Sequence, residues 1–481
     1  LQYRIMSKKT FTWEELRQRN TKQQAYVAIR GKVYDVTKFI DRHPGGRDVL
    51  LMAAGRDVTM VFESYHAFSE KAPKVLEKYC VGELVSNKYP TYPETGYDLT
   101  FSIFTTISPF FKTVRDRVQK YFKDNNKDPK DPEWMWLRLI LFPSLFYMLC
   151  YAQLTWLSGS LLWSSGFAIM MGWIGAIIGI THAHDASHFA ITHSPWVWKA
   201  IGIGTHNFIY GCSYYVWILQ HTFGHHPYTN IDGADPDIVT SEKHHDIRRI
   251  KDTQTWIQPY VAQHIYAPII YGLVSILLDP LDLNPALTLK TRLQDCVVVL
   301  TGYNSTMPMN SLSMFNSVLF WAGKIAFLIQ RFVIPLYFLP LLRVLWINVL
   351  LEATASYWLA LVFQISHVVS EVEWPQPNED NRVPRDWAEL QVLTTLDYCT
   401  DNWFWNTFTG ALNHQTTHHL FPGICQNHYP QITPIVRKTC EEFNIKYNYL
   451  PTFTQALGAH LGHLKRLGQN SEARIVDARV G

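Results

Sequence analysis

Twenty histidines are spread over 481 residues, and many fall in tight groups. His184 and His188 are four apart, His221, His225 and His226 form the pattern HxxxHH, and His418 and His419 are adjacent. On a helix, residues at i and i+4 share a face. His184 and His188 are therefore expected to point at one metal, and so are His221 and His225. Adjacent side chains on a helix project about 100° apart. The pairs 225/226 and 418/419 can then serve two metals in one site. So many imidazoles exceed the needs of one ion and suit two irons held by neutral nitrogen ligands. A lone histidine of this kind is explained as well by a satisfied polar contact at a membrane surface. Three ordered clusters, each beside an apolar segment, are not.

A second pair lies earlier. His43 opens the turn HPGG, and His66 follows in the stretch FESYH. A low-spin electron-transfer haem needs two strong axial ligands on opposite faces, and imidazole supplies them. The proline and glycines after His43 make a tight turn that lets backbone approach a porphyrin closely.

These residues need two kinds of frame. Residues 7–88 read as a compact α+β unit, with short β-prone runs at 26–29 and 32–36 between helical stretches. Residues 89–133 read as a polar connector ending in a helix that approaches a membrane. Residues 134–466 form the membrane unit, and 467–481 a polar tail. Within the membrane unit, 136–157 and 161–181 are apolar runs of about 20 residues, one span each. Lysines and arginines crowd the stretch before the first span, and the turn between the spans has none, so both outer ends of this hairpin face the cytosol. Residues 317–340 and 341–366 make a second hairpin, interrupted by Lys324, Arg331, Arg343 and Glu352. Charges inside spans face protein or a polar site rather than lipid. Residues 258–278 are read as an interfacial helix, because a fifth crossing would put the last histidine cluster on the wrong side.

Composition agrees with this division. Aromatic residues are 14% of the chain and charged residues 17%, which suits aromatic belts at a membrane interface. The mean hydropathy is −0.07, so polar units flank the membrane core. A net charge of +3 gives no reason to expect a nucleic-acid partner. Seven cysteines without a CxxC pair argue against a disulfide framework and for a reducing, cytosol-facing setting. No apolar leader is read in residues 7–24.

Residues 9–86 resemble cytochrome b5, through GKVYDVTKF at 31–39, HPGG at 43–46, AGRDVT at 54–59, FESYH at 62–66 and VGEL at 81–84. The resemblance implies haem b held by His43 and His66. It lacks the acidic docking face of free cytochromes b5, since basic residues outnumber acidic ones here. The three clusters, HDASH, HTFGHHP and QTTHH, resemble the boxes of membrane desaturases, and within them the front-end desaturases with a fused cytochrome b5. Gln415 stands where other desaturases place histidine and marks that subgroup. The resemblance implies two non-haem irons held by His184, His188, His221, His225, His226, His418 and His419, with Gln415 and His367 as further ligands. On its own residues His367 is read equally well as an interfacial side chain. Asn207 stands where relatives carry an aspartate that would orient an imidazole. His414 precedes the third box as a packing or outer donor residue, and His264 is a candidate near substrate.

The implied fold is an α+β haem domain fused to an all-α membrane domain, with four transmembrane helices, interfacial helices and a cytosolic cap for two irons. The implied reaction uses O2 and electrons passed from NADH-cytochrome b5 reductase through the haem. It inserts a cis double bond between an existing one and the carboxyl end of a polyunsaturated acyl chain. An unactivated CH2–CH2 pair has no acidic proton, so acid–base chemistry cannot open it and no catalytic side chain is expected beyond the iron centre. The substrate is a fatty acyl-CoA or a phospholipid acyl chain, and the location the endoplasmic reticulum membrane, with both domains facing the cytosol. Similarity to fungal Δ5 desaturases points to Δ5 insertion. Δ6, Δ8 or Δ4 insertion and sphingolipid long-chain-base desaturation stay open as alternatives. A b5-type electron carrier with an anchor leaves the three boxes unexplained.

Overall fold

The computed structural model describes residues 9–85, 91–92, 96–97, 100–101, 108–157, 159–231, 234–237, 248–272, 310, 314–379 and 382–469. Its first part is built on one mixed sheet. The strand Lys32–Asp35 lies between Gln24–Ile29 and Cys80–Leu84, antiparallel to both, and Thr10–Phe11 adds a parallel edge beside Cys80–Leu84. The hairpin from Ile29 to Lys32 turns on Arg30 and Gly31, both with positive φ (52° and 71°). Two such residues make the type I′ turn whose twist matches the strands. Helices Arg47–Ala53 and Thr59–Tyr65 stand beside this sheet. His43 precedes the first of them and His66 ends the second.

Among the described residues, four helices are long and apolar enough to cross a membrane: Trp136–Thr155, Leu161–Ser187, Met314–Phe338 and Leu341–His367. The second and fourth pack closely. A Cβ on Gly172 would collide with the Leu351 carbonyl oxygen, so a side chain there is excluded by the neighbouring backbone. The charges within the second hairpin face protein. Arg331 pairs with Glu352 at 2.6 Å, Arg343 donates to the Ser160 carbonyl at 3.1 Å, and Lys324 is buried over the Phe320 ring. The stretch read as an interfacial helix begins as a short 3₁₀ turn, Gln258–Ala262, and continues as Gln263–Tyr271. Nine helical residues rise only about 14 Å, too little for a crossing, and residues 273–278 lie outside the described residues.

The cap is formed by chain on either side of the spans. Pro109–Asp124, within the stretch read as a connector, is a packed helix. Ser108 caps it by accepting from the Phe111 amide at 3.0 Å. Its apolar stripe of Phe110, Phe111, Val114, Val118 and Phe122 is buried in a core shared with Trp387, Phe421 and the helix Tyr429–Glu442. The haem domain sits on this cap and on the first histidine segment. A second core joins Val27, Val36, Val49 and Met52 to Phe189, Trp198 and Tyr215. Asp48 accepts from Lys199 at 3.4 Å and from the Tyr215 hydroxyl at 3.2 Å. The six cysteines among the described residues are all free.

Candidate metal centre

Each histidine cluster hangs from a different element. The second span loosens into a π-helical turn at Gly179–Ala183, then re-forms as His184–Ser187, ending at His188. Ile218–His225 is itself π-helical and carries His221 and His225. Such turns are rare and concentrate at functional sites. His367 is the last residue of the fourth span, and Gln415–Leu420 is a short buried helix carrying the third cluster.

These elements converge on one buried centre. His184, His188, His221 and His418 form a group whose ring nitrogens lie within 4.8 Å of one another, and His225, His367 and His419 form a second. His226 joins His418 and His419 in a third group, which links the first two. The Gln415 amide nitrogen lies 2.9 Å from His367 Nε2 and 3.2 Å from His419 Nε2. All nine side chains are buried.

His221 and His225 share a metal-capable group with Asp237, and each also belongs to a different one of the two main groups. Their rings are nearly parallel, at 17° and 5.3 Å between centroids, so they point side by side. The His184 and His188 rings, at 62° and 4.5 Å, converge instead.

The outward nitrogens are held. His221 Nδ1 donates to Asp237 and His225 Nδ1 to Asp235, both at 3.0 Å. His367 Nδ1 donates to the Thr394 carbonyl at 3.3 Å, His418 Nδ1 to the Tyr429 hydroxyl at 3.1 Å, and His419 Nδ1 to Gln391 Oε1 at 2.9 Å. The outer partner of His188 Nδ1 is the Tyr65 hydroxyl, at 2.5 Å. Outer partners of this kind fix the tautomer and aim the free Nε2 at a metal. The sequence reading assigns this role to none of them. Asp235 and Asp237 left a signal, an acidic pair just downstream of the second box. The others are brought in by tertiary structure.

Electrostatics keeps the ring nitrogens available. Burial, then the neighbouring imidazoles, hold His188, His226, His418 and His419 well below the ordinary histidine pKa. His225 is the exception. Burial lowers it, but the Asp235 and Asp237 carboxylates outweigh burial and raise it. Burial opposes ionisation of Asp237 too, yet His225 and His221 hold its carboxyl well below the usual range.

The donor set fits two metal ions. Both nitrogens of His226, Nε2 of His418, Nδ1 of His184 and Oε1 of Gln415 are buried with no hydrogen-bond partner among the described residues. Each such atom costs about 1–3 kcal/mol if left unmade. A bound cation meets that cost for atoms aimed inward, and neutral imidazoles suit iron. Rotating the Gln415 amide exchanges its two ends and turns Oε1 to where His367 and His419 converge.

The haem pair fits its group as well. His43 Nδ1 is 3.3 Å from the Gly46 carbonyl and His66 Nδ1 is 3.1 Å from that of Phe62, so each Nε2 is free. The ring centroids are 6.3 Å apart, leaving a gap between the imidazoles that one haem iron could fill. Burial and the charge of His43 press the His66 imidazole down to about 4, so it is neutral at pH 7.

Other histidines among the described residues lie outside these groups. His414 bonds Thr433 at 2.8 Å and Asn406 at 3.1 Å, a packing role. His460 and His463 bond the Val368 and Ile250 carbonyls, both at 2.7 Å. His264 belongs to none of the metal-capable groups among the described residues. Asn207 Oδ1 accepts from the Tyr214 amide at 3.1 Å, so it orders backbone and bonds no imidazole among the described residues.

Comparison with known proteins bears on the same segments. Residues 158–451 match the family described as fatty acid desaturase, and residues 12–85 the cytochrome b5-like haem/steroid binding domain. The chain is 45% identical over 469 residues to an acyl-lipid (8-3)-desaturase of Mortierella alpina, covering 96% of this chain and 97% of that protein. The chain belongs to the fatty acid desaturase family. This desaturase is also 35% identical to the Delta(5) fatty acid desaturase A of Dictyostelium discoideum, over 98% of this chain and 96% of that one. A moss relative from Physcomitrium patens, an acyl-lipid (8-3)-desaturase, is 36% identical over 96% of this chain and 92% of its own length. The desaturase is thus an oxidoreductase that carries haem in its b5-like domain and a di-iron centre in its membrane domain.

Proposed function

We propose that the desaturase is a front-end Δ5 enzyme acting on polyunsaturated acyl chains carried by membrane lipids, of the di-homo-γ-linolenoyl to arachidonoyl type. The observation that carries the chemistry is the pair of buried histidine groups that share one centre at the ends of the spans. The Δ5 position is supported by the names of full-length relatives, which are (8-3)- and Delta(5)-desaturases.

In this reading His184, His188, His221 and His418 hold one iron. His225, His367 and His419, with Gln415, hold the other, and His226 stands between them. When bound, the iron pair supplies the oxidising chemistry that removes two hydrogens from an unactivated CH2–CH2 pair with O2. The chain's own residues do the rest. Asp237, Asp235, Thr394, Gln391 and Tyr429 fix the ligand rings. The cap core around Phe111, Trp387 and Phe421 keeps water away. The spans bring acyl chains to the cap, and no side chain moves a proton.

His43 and His66 hold the haem that receives electrons from NADH-cytochrome b5 reductase. Residues 7–88 form the haem unit, 89–133 the connector, 134–466 the membrane unit and 467–481 the tail. The protein sits in the endoplasmic reticulum membrane with both domains in the cytosol. Feeding di-homo-γ-linolenic and linoleic acids separately to a yeast expressing the chain, and mapping the new double bond, tests the substrate. A Δ5 bond in the former and no change in the latter is the expected result. A Δ6 bond in linoleate, or a change confined to sphingoid bases, contradicts it.

A further inference from the structure

One ligand ring of the centre is held from outside the membrane domain. The Tyr65 hydroxyl meets His188 Nδ1 at 2.5 Å, and the two rings lie 10° from parallel with centroids 6.2 Å apart. Tyr65 belongs to the haem domain and is the residue immediately before His66. It leans on Phe189 at 5.5 Å. Gly423 stands beside it, where a Cβ would lie 3.4 Å from the tyrosine ring, in ordinary contact. The docking that puts Tyr65 there is extensive. Phe68 stacks on Phe421 at 6.0 Å, and Lys199 meets Asp48 at 3.4 Å.

We propose that Tyr65 is the electron bridge between the two cofactor sites, joining His66 to His188 through one peptide link and one hydrogen bond. The inference rests on the ligand reading given above. His188 Nε2 lies 3.2 Å from His184 Nε2, inside the first histidine group. The route from one ligand to the other is therefore covalent except for the 2.5 Å contact. Electronic coupling decays more slowly through bonds and short hydrogen bonds than across open gaps. The same hydrogen bond orients His188, as Asp237 and Asp235 orient His221 and His225. Each passage moves one electron: ferrous haem becomes ferric and one ferric ion of the pair becomes ferrous. Tyr65 itself is not oxidised, and no bond forms or breaks there. A one-electron protein reductant returns the electron to the haem. Fusion of the domains thus does more than raise the local concentration of a donor, because the donor supplies part of the acceptor's ligand shell.

The test uses the full-length protein in detergent with Tyr65→Phe and Tyr65→Leu. Both variants are checked for haem spectrum and for non-haem iron per chain. The haem is reduced with one equivalent, the oxidised iron pair is left to accept the electron, and haem reoxidation is followed by stopped flow. With iron supplied in excess so that both variants load to the wild-type level, the expected result is normal haem content, with reoxidation slowed about tenfold or more in Tyr65→Phe and further in Tyr65→Leu. Product formation in a single turnover should recover to within about twofold when a small viologen reductant supplies the iron pair directly. Wild-type reoxidation rates in both variants overturn the proposal. So does a defect that the viologen cannot bypass, or one explained by lost iron, since Tyr65 would then only hold the ring. A wild-type haem whose reoxidation is indifferent to non-haem iron overturns the bridge and the ligand reading together. A different double-bond position leaves this measurement untouched.

Discussion

Asp237 and His221 meet at 3.0 Å, carboxylate against Nδ1, while His221 Nε2 turns inward to 3.2 Å from His184 Nε2. The same arrangement recurs around the centre with different partners. It is the geometry that a metal-ligand shell with its outer contacts already made would have.

Asp237→Asn should weaken non-haem iron binding about 10–100-fold, the usual cost of losing an outer partner of a ligand histidine. Asn keeps an acceptor but loses the charge that opposes the burial of His221 and His225. Metal titration followed by iron analysis reads this, with the haem spectrum unchanged. Wild-type affinity in the variant would show that the carboxylate is not coupled to the metal.

His188→Ala and His419→Ala each remove one ring from a different group. Both should abolish desaturation and leave the haem spectrum intact. His43→Ala should remove haem and activity together. Retained desaturation in both box variants, measured by product analysis, contradicts the two-iron reading.

Asp397 accepts from the Thr416 amide at 2.8 Å under the third cluster, and burial pushes its carboxyl up to about 6. A raised carboxyl binds its proton more tightly when folded. Its stabilising contribution is therefore full below the unfolded value near 4 and is lost as pH rises through 6. Two units correspond to about 3 kcal/mol at most. Asp397→Asn does not titrate, so the stability of wild type relative to this variant should fall between pH 4 and 7. Thermal unfolding at stepped pH measures the difference. A wild-type stability that rises relative to the variant as pH increases would refute the assignment.

Gly172→Ala should destabilise the contact between the second and fourth spans, because the added methyl meets the Leu351 carbonyl and the Thr354 side chain. Overpacking of this kind costs about 1–3 kcal/mol. A lower melting temperature of the membrane domain is expected with an unaltered haem spectrum. An unchanged melting temperature would mean that the two helices are spaced more widely.

Local patterns made much of this legible from sequence. His43 and His66 sit in a short frame of turn and helix residues, and the four spans announce themselves by apolar length. The three clusters stand out because histidine spacing survives in one dimension. What was not legible depends on distant chain segments meeting. Thr394 and Gln391 become partners of His367 and His419 only when the segment after the fourth span folds back. Tyr65 and His188 are 123 positions apart. That His221 and His225 also enter different main groups turns on ring planes, which i and i+4 spacing does not specify. Pro109–Asp124 looked like connector because its charged face dominates the composition, while its phenylalanines and valines form the cap core.

Iron stoichiometry tests the central claim most directly. The purified full-length protein should contain two non-haem irons beside the haem iron, and His188→Ala or His419→Ala should lower the non-haem count while haem stays at one per chain. A wild-type protein with haem iron alone, or with a non-haem count indifferent to both substitutions, would contradict it.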